Sequence, residues 1–176
     1  MNKQKILVVE DNKSHLDNAV EQLSDRFDLT TAKNFDSGLD ALDKEKFNFL
    51  LTDLMMPKGT GRTMGDKGME LIFDEMPYGF PLAIYAAKKE VSIISIVTDI
   101  NHHNHPMAYS FDYIKGIYRI NNSMLQVRAA PMMKNGDKYV KDWTAVLYEL
   151  SRINQYEVFP ELKLLEDIKN TIENLK

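Results

Sequence analysis

Apolar positions along this chain fall into short runs separated by polar turns. Lys5 to Val9 is short, β-branched and apolar, the pattern of a strand buried on both faces. Asp11-Asn12 can cap a helix, and Leu16, Ala19, Val20 and Leu23 follow at helical spacing. Phe27 to Ala32 alternates as a second strand. Ser37 to Asp43, flanked by Phe35 and carrying Leu39 and Leu42, reads as a second helix. Phe47 to Thr52 is a third strand, and Val91 to Thr98 a fourth. Between them, Gly68 to Phe73 and Pro81 to Lys89 read as helical pieces broken by Pro77-Tyr78-Gly79. A helix is expected after Pro106 and a fifth strand over Leu125 to Ala130. Helices follow over Asp142 to Ile153 and Glu161 to Leu175. Asn135-Gly136 is a turn signal, so Leu125 to Met133 and Lys138 to Lys141 are also readable as a hairpin.

Short apolar strands alternating with helices predict an α/β fold with a doubly wound, mostly parallel sheet. Such sheets bind ligands at the carboxyl ends of their strands, beside a switch in strand order. At 176 residues the chain has room for one domain with a substantial core. No repeat, low-complexity segment or linker interrupts it. Hydrophobic content of 44% and charged content of 27% are ordinary for a soluble protein. The 22 basic and 26 acidic residues leave a net charge of -4, which gives no basic footprint for nucleic acid. The absence of cysteine excludes disulfides, thiolate metal sites and cysteine nucleophiles. The first apolar run, Ile6 to Val9, is too short for a signal peptide, and no stretch approaches a membrane span. The expectation is therefore an intracellular, cytoplasmic protein.

The chemistry lies at the strand ends. Strand one runs into Glu10-Asp11, strand three into Asp53 and strand four into Thr98-Asp99. Crowded carboxylates repel one another, and at least one pKa rises unless a cation sits among them. Hard oxygen donors of this kind suit Mg²⁺. A metal-supported Asp53 can also act as a nucleophile and form an aspartyl phosphate. The plainer reading makes these acids helix caps and turn residues.

The segments KILVVEDN, FLLTDLMMP and IVTD, in that order, resemble the receiver domain of response regulators, the phosphoacceptor of two-component signalling. The likeness covers roughly the first hundred residues. It implies a five-stranded parallel sheet in the order 2-1-3-4-5. It also implies Mg²⁺ held by Glu10, Asp11, Asp53 and the main-chain carbonyl of Met55. Asp53 would take the phosphoryl group, and Thr98 would contact it. The partners implied are a histidine kinase or phosphotransfer protein and a downstream protein, with neither nucleic acid nor membrane.

Three features depart from the pattern. The turn after Asp53 is long and glycine-rich, through residues 58–68, and reads as a surface insertion or a weak anion cradle through Lys58, Arg62 and Lys67. Asp99 stands where the family has a small residue. Beyond it, His102, His103 and His105 offer either a Zn²⁺ or Mn²⁺ site, or a histidine assisting dephosphorylation, or a polar loop capped by Asn101 or Asn104. The family's strand-five lysine is best matched by Lys141, before Asp142-Trp143, although it lies 43 positions after Thr98. Lys134 and Lys115 are the alternatives. Insertions near 58–68 and 100–141 thus gather around the expected site as a lid or docking surface. Residues 1–155 would form the receiver-like domain, and 156–176 a helical extension. In the extension Leu165, Ile168, Ile172 and Leu175 make an apolar stripe, for packing on the domain or for a homodimer. Two further functions stay open: an interaction module that is never phosphorylated, which Asp99 motivates, and a metal-dependent phosphatase or hydrolase using Asp53 and the histidine loop.

Overall fold

The computed structural model describes residues 3–59, 73–100 and 106–153. The chain begins with β1 (Lys5–Val9), α1 (Lys13–Leu23), β2 (Asp28–Ala32), α2 (Phe35–Lys44) and β3 (Phe49–Thr52). It continues with α3 (Gly79–Lys88), β4 (Ile93–Thr98), α4 (Pro106–Ile114), β5 (Gly116–Ile120) and β6 (Ser123–Ala129). A hairpin, β7 (Met132–Asn135) and β8 (Lys138–Lys141), precedes α5 (Trp143–Ser151).

One six-stranded sheet runs in the order β2-β1-β3-β4-β6-β5. Its first five strands are parallel and follow the expected 2-1-3-4-5 order, with β6 as the fifth parallel strand. The sequence pattern gives no sign of β5, which pairs antiparallel with β6 and forms the sheet edge. Lys115 sits at the junction of α4 and β5 and is ion-paired with Asp112, so no strand carries it toward the site. The hairpin is also shorter than the turn signal suggests. Leu125 to Ala129 belongs to the main sheet, and only β7 pairs with β8, around a turn at Gly136 with φ near +60°.

The apolar strands are continuous because helices cover both faces. Leu7, Val9, Leu50, Ile94 and Ile96 face Leu42, Leu82, Ala86 and Phe111, from α2, α3 and α4. Ile6, Val8, Leu51 and Val97 face Leu16 and Leu23 of α1 and Trp143, Val146 and Leu150 of α5. Alternate residues of one strand thus serve opposite cores. Parallel strands under two helical layers bring every strand's carboxyl end to one edge, where the predicted acids fall.

The glycine-rich turn beyond residue 59, the 68–73 helical piece apart from Phe73, the three loop histidines and the C-terminal stripe lie outside the described residues. Among the described residues, no helix is long and apolar enough to cross a membrane.

Candidate functional site

Each site residue is delivered by a strand that the core holds in place. Glu10 follows β1, donates its backbone N–H to Ala32 O and is fully buried. Its carboxylate accepts from the Asn12 N–H at 3.2 Å. Asp53 follows β3, and its N–H donates to Val9 O at 2.9 Å, which locks the two strand ends side by side. One Asp53 oxygen accepts the Leu54 N–H at 2.6 Å. Asp11 is half-buried beside them. Glu10, Asp11 and Asp53 each offer an oxygen, and these atoms lie within 4.8 Å of one another.

Lys141, at the end of β8, is fully buried against this group. Its Nζ stands 2.8 Å from Glu10, 3.1 Å from Asp53 and 3.5 Å from Asp99. The lysine therefore reaches the site from the separate hairpin, not from the fifth parallel strand. Lys134 lies on β7, on the far arm of the hairpin, paired in register with Tyr139. Thr98 is buried at the end of β4, its hydroxyl oxygen accepting from the Ile100 N–H at 3.2 Å. Glu10, Asp11, Asp53, Met55, Glu75, Thr98 and Asp99 line one cavity of about 340 Å³.

Two participants escape a reading of the sequence. Glu75 lines the cavity, and its charge acts on Asp11. His15, on the inward face of α1, is almost fully buried. Its Nε2 lies 3.2 Å from Asp99, and its Nδ1 accepts the Lys141 backbone N–H at 3.3 Å. No motif marks a single histidine inside an amphipathic helix.

The electrostatics follow from burial of like charges. Burial, more than any neighbour, pushes the Glu10 carboxyl up to about 7 against the pull of Lys141. Burial and then the charge of Asp53 raise Asp11 to about 6. Burial also raises Asp53, with Lys141 opposing. Asp99 goes the other way: the His15 hydrogen bond holds it well below the usual carboxylate range. For Lys141, burial alone would lower the pKa, but the charges of Asp53, Glu10 and Asp99 outweigh it and keep the ammonium charged. The carboxylates surrounding one lysine leave excess negative charge, a donor set that fits a hard divalent cation. Among the described residues this is the group able to hold a metal, and the histidines proposed for Zn²⁺ or Mn²⁺ fall outside them.

A pH dependence follows. The folded-state pKa values of Glu10 and Asp11 lie above their ordinary values of 4.5 and 3.8. The stability this contributes is complete below the ordinary values and is lost as pH rises through about 6 to 7. The lowered Asp99 acts only in the acid range below its ordinary value. Without divalent cations, the melting temperature is therefore expected to fall between pH 5.5 and 8, by about 4–8 °C for ~2 kcal/mol. Millimolar Mg²⁺ should flatten that slope, because metal binding favours the ionised carboxylates. Melting curves at both pH values, with chelator and with Mg²⁺, check it. A metal-free protein that grows more stable toward pH 8 would contradict it.

No protein-family model matches the sequence, and no curated protein matches it. Solved structures do. The signal receiver domain of an HD domain-containing protein from Pseudomonas fluorescens Pf-5 matches at 13% identity, over 86% of this chain and 94% of that one, with a TM-score of 0.52. A response regulator from Burkholderia pseudomallei, with a phosphorylated aspartic acid, calcium ion and citrate, matches at 17% identity over 96% and 75%, with a TM-score of 0.48. A CheY-like receiver domain protein from Methanospirillum hungatei JF-1 matches at 16% identity over 97% and 98%, with a TM-score of 0.44. The chain has the response-regulator receiver fold.

Proposed function

We propose that this chain, built on the receiver fold, is the phosphoacceptor of a cytoplasmic two-component phosphorelay, phosphorylated on Asp53. The observation that supports it most is the clustering of Glu10, Asp11 and Asp53 within 4.8 Å, with Lys141 ion-paired to Asp53. An Asp53 oxygen attacks the phosphorus of a phosphohistidine on a histidine kinase or phosphotransfer protein. A P–O bond forms, the P–N bond breaks, and the departing imidazole nitrogen keeps the electron pair. Lys141 orients the attacking carboxylate and offsets the charge that gathers on the phosphoryl oxygens. Thr98, which lines the same cavity, supplies a hydroxyl that can donate to a phosphoryl oxygen. Glu10, Asp11, Asp53 and the Met55 carbonyl would hold Mg²⁺, which when bound neutralises the phosphoryl oxygens. Phosphorylation then biases the surrounding loops and changes affinity for a downstream protein.

A second reading draws on Asp99. Its carboxylate, 3.5 Å from the same lysine, opposes a phosphoryl dianion, as a permanent interaction module would tolerate. One experiment separates the two. Intact mass is measured after incubation with a small acyl-phosphate donor, with and without Mg²⁺. The expected result is a Mg²⁺-dependent phosphoryl adduct that Asp53→Asn abolishes. No adduct under donor excess, together with no response to a stable phosphoryl mimic, would favour the interaction module.

A further inference from the structure

The phosphoacceptor reading leaves two groups without work, the buried His15 and the partly exposed Asp99. They are not independent. His15 makes three tertiary hydrogen bonds, each to the segment that ends strand four or to the one that carries Lys141. Its Nδ1 faces the Lys141 backbone N–H at 3.3 Å. A backbone amide can only donate, so Nδ1 is the acceptor and the ring proton sits on Nε2. That proton points at Asp99 Oδ2, 3.2 Å away. The His15 carbonyl accepts the Trp143 indole N–H at 2.9 Å. One turn further along α1, Asn18 donates to the Lys141 carbonyl at 2.8 Å. Helix α1 therefore grips the lysine's main chain on both sides, and through His15 it also grips Asp99.

Asp99 needs that grip. Its other oxygen, Oδ1, already lies 3.5 Å from the Lys141 ammonium, behind Glu10 at 2.8 Å and Asp53 at 3.1 Å. Three carboxylates share one cation. If Asp99 were released from His15, its charge would move onto Lys141 and compete with Asp53 for it. We propose that His15 is a positioning residue of this site: its imidazole ties Asp99 to the Lys141 main chain, so that the lysine stays on Asp53 and the extra carboxylate is held back from the phosphoryl position. The proposal rests on the phosphoacceptor reading. It explains how a receiver can carry an acid directly after Thr98, and it assigns the buried histidine a role that the family pattern lacks.

The test is a double-mutant cycle on the full chain, read by the rate of Asp53 phosphorylation from an acyl-phosphate donor at fixed Mg²⁺. His15→Leu removes both ring hydrogen bonds and is expected to slow phosphorylation about tenfold. His15→Gln, which keeps a donor at the Nε2 position, should recover most of that loss. In an Asp99→Asn background there is no charge to hold, and His15→Leu should change the rate by less than about twofold. Equal slowing in both backgrounds overturns the proposal and makes His15 a packing residue, as does no effect of His15→Leu on the wild-type rate. A second readout does not depend on phosphorylation. Long-range ¹H–¹⁵N correlation of the His15 ring should show the Nε2–H tautomer, with a proton signal that moves in Asp99→Asn. If the wild-type chain takes up no phosphoryl group, the phosphoacceptor reading falls. The ring then decides the tie on its own: an Nε2–H ring shifted by Asp99→Asn upholds it, and an Nδ1–H ring overturns it.

Discussion

Replacing Lys141 with methionine is expected to destabilise the metal-free protein by about 3–5 kcal/mol at pH 8, the usual cost of leaving one side of a buried ion pair behind. The side chain is fully buried and touches three carboxylates, two of them buried themselves. Methionine fills the same volume, so the change isolates the charge from the packing against Trp143, whose ring lies 5.8 Å from the ammonium. Glu10 and Asp53, left without their cation, must either ionise in an apolar setting or bind protons. The deficit should therefore shrink toward pH 5.5, where the buried carboxyls take up protons readily, and Asp53→Asn in the same background should recover part of it. Mg²⁺ should also recover part, since a cation that binds only the folded state stabilises it by mass action. Urea unfolding at pH 5.5 and 8, with chelator and with Mg²⁺, measures each arm. A Lys141→Met protein as stable as wild type at pH 8 without divalent cation would mean that the carboxylates do not depend on the lysine.

The same residue shows where the sequence was legible. The apolar runs marked strands because Ile6 and Val8 enter one core while Leu7 and Val9 enter the other, leaving no polar position to blur the signal. The acids at the strand ends were legible for the same reason, since a fully buried run seldom ends on a carboxylate that has neither a partner nor a task. Strand β5 was not legible. It is an edge strand, its residues exposed or half-buried throughout, so no alternation was imposed on Gly116 to Ile120. Lys141 was found only through a resemblance; the Asn135-Gly136 turn signal marked Lys138 to Lys141 as a hairpin arm, but not that the hairpin stands apart from the main sheet and brings the lysine to the acids. His15 carried no signal at all, because its partner Asp99 lies 84 positions away and the contact exists only once the fold brings α1 to the segment after β4. Local pattern reports burial. It does not report which buried groups meet.

Gly79 makes the same point, and its substitution is the second large expected effect. In the sequence it is a helix breaker after Pro77. In the fold it opens α3 against the turn that carries Asp53. A Cβ at this position would lie 2.4 Å from the Asp53 carbonyl oxygen and 2.8 Å from the Leu54 Cα, both main-chain atoms. Neither can yield easily. Asp53 is tied to Val9 by its N–H, Leu54 to the Asp53 carboxylate by its own, and Gly79 N–H to the Leu54 carbonyl at 3.0 Å. Gly79→Ala should therefore cost about 3 kcal/mol, the upper end for overpacking, and move the Asp53 turn that also carries Met55. Mg²⁺ affinity, followed by the fluorescence of Trp143, should fall by about tenfold or more, since the metal's oxygen donors must keep their spacing. Gly38→Ala is the control. Its Cβ would meet only the side chains of Leu82 and Val9, at 3.2 Å, and alanine in the interior of α2 gains helix propensity of about 1 kcal/mol. That variant should stay close to wild type in stability and in Mg²⁺ affinity. If Gly79→Ala behaves as mildly as Gly38→Ala, the main chain at Asp53 is free to shift, and the rigid placement of that carboxylate by β3 and α3 is wrong.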